Sequence, residues 1–105
     1  MPKYLLSYHG GEFPPELEAV VGPRWKQWMD SIGEGAVDRG GPLQPSRTVG
    51  AGGAVTDTGA AGTTGYSIII AESLAAAIAF AQQCPQISPP HQNGTVEVAE
   101  LIEMQ

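Results

Sequence analysis

Tyr66-Ser67-Ile68-Ile69-Ile70-Ala71-Glu72-Ser73 is the stretch on which the fold turns. Aromatic and β-branched residues without Gly or Pro predict a strand over 66–71. Apolar residues on both of its faces point to a central strand, covered on each side. Ser73 suits a helix N-cap, because its hydroxyl can accept from the first free backbone N–H groups. The helix after it is expected to bury Leu74, Ala77, Ile78 and Ala81 along one stripe, until Pro85 forbids continuation.

The same order opens the chain. Lys3-Tyr4-Leu5-Leu6-Ser7-Tyr8-His9 alternates like a strand, with Tyr4, Leu6 and Tyr8 on one face and Leu5, Ser7 and His9 on the other. Gly10 and Gly11 end it. Leu17, Val20, Val21, Trp25, Trp28, Met29 and Ile32 then recur at three- and four-residue steps, the spacing of a helix face. Pro23 interrupts that register and is most comfortable as a first helical residue. The expectation is a loose turn over 15–21 and a firm helix from Pro23 to Ile32, stopped by Gly33 and Gly35.

Between the two halves, residues 33–65 are rich in glycine and read as short strands and turns. Ala36-Val37-Asp38 starts a strand closed by Gly40, Gly41 and Pro42. Thr48-Val49 and Ala54-Val55-Thr56 make two arms of a hairpin around Gly50–Gly53, and the small residues of 58–64 read as a mobile loop. Ile87–Gly94 is a loop, and Thr95–Ile102 closes the chain as a strand with Val96 and Val98 on one face. The order is that of a ferredoxin-like α+β sandwich, βαββαβ with an extra hairpin, occupying 1–105 as a single domain. One sheet face is then open. Ile69, Val96 or Val98, with Leu or Tyr side chains, are available for it, and pairing with a second copy would bury them.

Composition narrows the function classes. The chain has 105 residues, 42% hydrophobic, with 14 Gly, 9 Pro and a single Cys. That supports one core, offers no internal disulfide and fits a reducing, cytoplasmic setting. No apolar run approaches the roughly 18 residues of a membrane span, and the N-terminus lacks the pattern of a signal peptide. The net charge is −6, and no Lys or Arg follows Arg47, whereas Asp57, Glu72, Glu97, Glu100 and Glu103 do. Nucleic acid and anionic membrane surfaces are therefore poor partners.

Motif by motif, most signals are structural. Gly50-Ala51-Gly52-Gly53 has Val55 where a dinucleotide fingerprint needs Gly, and no Lys for a phosphate loop, so a turn explains it and no cofactor is expected. Cys84 and His91 lack metal-ligand spacing. Asn93-Gly94-Thr95 matches a glycosylation sequon but reads as a turn. His9 carries more. It ends a strand beside two glycines, and imidazole suits a general base if a carboxylate orients its other nitrogen. Asp38 and Asp57, each closing an expected strand, are the candidate acids. Ser7 or Tyr8 could hydrogen-bond a developing oxyanion, and Ser7, Tyr8, Tyr66 and Trp25 are the candidate pocket residues. Trp25 and Trp28, three apart on one helix, read first as core.

Taken in order, Lys3-Tyr4-Leu5-Leu6-Ser7-Tyr8-His9-Gly10, Trp25-Lys26-Gln27-Trp28, Val55-Thr56-Asp57, Gly65-Tyr66-Ser67-Ile68-Ile69-Ile70, Cys84-Pro85 and Gly94-Thr95-Val96-Glu97-Val98 resemble the YCII-related, or DGPF, domain family. The resemblance spans nearly the whole chain. It implies a ferredoxin-like fold that forms a dimeric α+β barrel in a bacterial protein. Some members lie beside or fuse to alternative sigma factors, and a few related proteins dehalogenate aromatic ring compounds. Where the name-giving motif continues with Gly-Pro-Phe, Asp57 here is followed by Thr58-Gly59-Ala60. Arg24 and Trp25 stand near the place of the family's helix-borne His.

Three expectations follow. The first is a homodimeric binding or accessory protein with a small-molecule pocket. The second is an enzyme on a small aromatic or carbonyl compound, with His9 as base and Asp57 or Asp38 orienting it. The third is a regulatory partner of a sigma factor.

Overall fold

The computed structural model describes residues 1–12, 14–88 and 93–103. Four strands form an antiparallel sheet: β1 (Lys3–Gly10), β2 (Ala36–Pro42), β5 (Thr63–Ile70) and β6 (Gly94–Glu100). Their order is β2-β5-β1-β6, and β3 (Arg47–Val49) pairs only with β4 (Val55–Asp57). Helices α1 (Glu18–Ile32) and α2 (Leu74–Ala81) pack on one face of the sheet. This α+β arrangement is compatible with the ferredoxin-like fold expected above.

Register explains the core. Tyr4 faces Ile69 and Leu6 faces Ser67 across β1–β5, while Leu6 faces Val98 and Tyr8 faces Val96 across β1–β6. Directly opposed residues share a sheet face, so these side chains all point toward the helices. Tyr4, Leu6, Tyr8 and Ile69 are buried there with Trp28, Met29, Ala77, Ala81 and Cys84, and Val96 and Val98 pack against them. The sequence reading had Ile69, Val96 and Val98 available to the open face. The register moves all three to the helix side and leaves Leu5, Ser7, His9, Ile68 and Ile70 on the other.

Helix α1 starts earlier than expected. A 3-10 turn over Pro15–Leu17 leads into a helix that runs through Pro23 without a break. Only one hydrogen bond, to the Ala19 carbonyl, is given up at Pro23. Val21, Trp28 and Met29 lie buried on either side of it and hold both halves on the sheet. Val20, counted in the apolar stripe, is 47% exposed.

Helix α2 is capped as anticipated, with the Ala76 N–H donating to Ser73 Oγ at 3.1 Å. Its buried side is Ala77 and Ala81, with Ala76 and Phe80 partly covered. Leu74 and Ile78, expected in the stripe, are 48% and 40% exposed. In so apolar a helix, spacing alone does not choose the face. Trp28 does, by stacking on Phe80 at 4.5 Å and donating Nε1–H to the Phe80 carbonyl at 3.0 Å.

The segment read as a mobile loop over 58–64 is instead a 3-10 turn, Gly59–Ala61, followed by the start of β5. Thr64 Oγ1 donates to the Tyr8 and Gly10 carbonyls and ties that start to β1. Strand β2 reaches Pro42 by means of two irregularities against β5. Gly40 makes the second possible: its φ is +67°, and a Cβ there would collide with the Tyr66 carbonyl. Strand β6 ends at Glu100, leaving Ile102 outside it and exposed. Half of the loop expected over 87–94, residues 89–92 with His91, lies outside the described residues.

Candidate functional site

A cleft of about 520 Å³ opens between α1 and the helix side of the sheet. Each wall comes from one element. Strand β1 and the Gly10-Gly11 turn bring Tyr8 and Glu12, α1 brings Trp25, Lys26 and Met29, and β2 brings Arg39, Gly41 and Pro42. Strand β5 adds Thr64, Gly65, Tyr66 and Ser67, and Gln86 closes one end. The volume lies within the usual range for small-molecule sites.

The inner wall is rigid. Tyr8 Oη donates to Ser67 Oγ at 2.8 Å, and Ser67 Oγ donates to the Arg39 carbonyl at 2.8 Å. Burial holds the Tyr8 phenol well above its ordinary value, so it stays protonated. The Trp25 ring meets Tyr8 edge-on at 4.9 Å and Trp28 at 5.6 Å, so aromatic packing fixes its orientation. At the rim, Asp30 accepts from Lys26 Nζ at 2.7 Å and from an Arg39 guanidinium nitrogen at 2.6 Å. Those two hydrogen bonds hold its carboxyl below the ordinary Asp value.

Of the four pocket candidates, Tyr8 and Trp25 line this cleft; Tyr66 borders it from β5, but it stands opposite Ser7 in the register, which puts its side chain on the other sheet face. Ser7 does not line it; it alternates to the opposite sheet face with His9. There Ser7 Oγ lies 3.1 Å from His9 Nε2 and donates to Thr63 Oγ1 at 3.1 Å. His9 does have a carboxylate beside it, and it is Glu97: Nε2 to Oε1 is 2.6 Å. Glu97 faces Ser7 across β1–β6, one diagonal from His9. Asp57 instead pairs with Arg47 Nε at 3.0 Å on the β3–β4 ribbon. Asp38 accepts from Tyr66 Oη at 3.1 Å and from the Gly40 N–H at 2.8 Å. Its hydrogen bond raises the Tyr66 phenol above the ordinary value. Among the described residues, no hydrogen bond or ion pair links His9 to either Asp.

The His9 surroundings bear on its chemistry. Nδ1 faces the Ala61 carbonyl at 3.0 Å, an acceptor that requires a hydrogen on that nitrogen. Nε2 faces the Glu97 carboxylate, also an acceptor. With both nitrogens turned to protein acceptors, neither is presented to a bound molecule. Glu97 is itself largely exposed, so the pair contributes little to stability.

Sequence reasoning missed Gln86, Arg39 and Lys26. Lys26 follows Trp25 by one position and so falls off its helix face, whereas Met29, four positions on, already shares the apolar stripe with it. Nothing near Cys84-Pro85 marks Gln86, which reaches the cleft only because a 3-10 turn, Pro85–Ile87, folds it under the β1 end. Cys84 is buried, and desolvation pushes its thiol up to about 12, so it is inert packing. Among the described residues, no cluster of His, Cys, Asp or Glu has the makings of a metal site, and no helix is long and apolar enough to cross a membrane. No family model and no curated protein matches the chain.

Proposed function

We propose that this chain is a small-molecule binding module whose ligand occupies the cleft between α1 and the sheet. The observation that carries the reading is the cleft itself: preformed, walled by Tyr8, Trp25 and Met29, with its polar wall atoms fixed by the Tyr8–Ser67–Arg39 hydrogen-bond chain. Binding is favoured over catalysis because His9 lies on the other sheet face with both nitrogens occupied. The order of sequence pieces that resembles YCII-related domains supports the same class of protein.

The protein works, in this reading, as a cytoplasmic homodimer joined through the open sheet face. Leu5, Ile68 and Ile70 stand there only partly covered, with Val37 45% exposed on the neighbouring strand. The molecule measures 43 × 43 Å but only 18 Å in its third dimension, so a large flat face is available. Two experiments test the proposal. Neutral aromatic fragments should shift backbone amide signals of Gly11, Gly65 and Trp25 in NMR spectra, and Trp25→Ala should abolish those shifts. Shifts confined to the His9 face would sink the cleft reading. Sedimentation velocity should give a dimer that Ile68→Lys dissociates; a monomer in the unaltered chain refutes that part alone.

A further inference from the structure

Gln86 is the most constrained polar group at the cleft. The residue is 4% exposed, and Nε2 donates to the His9 carbonyl at 2.8 Å and the Thr95 carbonyl at 3.3 Å. Two carbonyl acceptors accept only from the NH₂ end, which assigns the amide's orientation. Oε1 is therefore the other atom, and its position is telling. It sits 2.7 Å from where a Cβ on Gly11 would stand, and Gly11 lines the cleft, whereas Nε2 sits 2.5 Å from the corresponding point on Gly94 in β6. Among the described residues, nothing donates to Oε1. A buried amide oxygen left without a donor is unfavourable, and a donor arriving with a ligand would remove that penalty.

Charge supplies the second constraint. The charged lining residues are Glu12, Lys26 and Arg39, and Asp30 bridges both cations at the rim. Two acids offset two bases, so the mouth holds no surplus charge to draw in an ion. Beyond it the walls are Tyr8, Trp25 and Met29.

We infer that the cleft takes a neutral, largely apolar molecule whose hydroxyl or N–H group donates a hydrogen bond to Gln86 Oε1. The inference rests on the cleft being the binding site. Conversely, a molecule with only acceptors would leave Oε1 as it is and add a second unpaired oxygen beside it.

The test compares matched probes on the unaltered full chain: para-ethylphenol, its methyl ether para-ethylanisole, and para-ethylbenzoate as the anionic counterpart. Titrations are followed by NMR through the Gln86 side-chain carbonyl carbon and the Gly11 and Gly65 amides. The phenol should bind about ten-fold tighter than the ether, the worth of one well-made buried hydrogen bond, and should alone move the Gln86 carbonyl signal. It should also outbind the benzoate by a similar factor. Equal affinities of phenol and ether, with the cleft amides shifting, would overturn the role of Gln86 and leave the cleft reading standing. Preference for the benzoate would overturn neutrality. Absence of binding by all three would overturn the cleft reading itself.

Discussion

Trp28→Ala is predicted to be the most damaging single truncation near the cleft. The indole is 6% exposed. It lies parallel to Phe80, with centroids 4.5 Å apart and planes 12° from each other, and it meets Trp25 and Tyr8 edge-on at 5.6 and 6.3 Å. Its Nε1–H reaches the Phe80 carbonyl at 3.0 Å, so one side chain joins α1 to α2 by both stacking and a hydrogen bond. Removing a buried Trp costs about 3–5 kcal/mol through lost transfer energy and the cavity left behind. Against a total of about 5–15 kcal/mol for a chain of this size, that is a large share. In urea the midpoint should fall by on the order of 2 M with an unchanged slope. Trp28→Phe keeps a ring on Phe80 but loses the Nε1 bond, and should cost about 1–2 kcal/mol. Far-UV circular dichroism is the readout, because the substitution alters fluorescence directly. A loss below about 1 kcal/mol for Trp28→Ala would refute the argument that this contact holds the helical layer together.

Three further outcomes follow from particular geometries. Gly40→Ala should destabilise by at least about 1–2 kcal/mol from the left-handed backbone alone, and more because the new Cβ meets the Tyr66 carbonyl; a neutral effect in thermal melts would show that the β2 irregularity relaxes freely. Asp30 should contribute to acid sensitivity. Its folded value is lowered by Lys26 and Arg39, so its contribution is present above the ordinary Asp value and lost as pH falls through the lowered one. Urea midpoints of Asp30→Asn between about pH 2 and 5 should therefore fall less steeply than those of the unaltered chain, and parallel curves would contradict this. Cys84, with its thiol pushed to about 12 by burial, should resist a thiol reagent at about pH 8 until the protein unfolds. Rapid labelling under native conditions would place it at the surface.

Much of the architecture was legible because local patterns and tertiary packing agree. Tyr4, Leu6 and Tyr8 alternate with Leu5, Ser7 and His9, and that alternation is the buried and open side of β1. Ser73 signals a helix start and caps one. The errors came where the pattern was degenerate. Ile68, Ile69 and Ile70 are equally apolar, so parity within β5 is invisible until Tyr4 is paired with Ile69. Leu74-Ala75-Ala76-Ala77-Ile78 is apolar around most of α2, so the side that docks depends on Phe80 and Trp28.

The sequence by itself determined the kind of elements, their order and the net acidity, because propensity, periodicity and charge are local or additive properties. The tertiary structure alone decided which carboxylate stands beside His9, since cross-strand register brings up Glu97 from β6 while Asp38 and Asp57 serve other partners. It alone decided that Gln86 belongs to the cleft, because a residue 77 positions from His9 in the chain donates to the His9 carbonyl only after β6, the 3-10 turn and β1 have closed on one another.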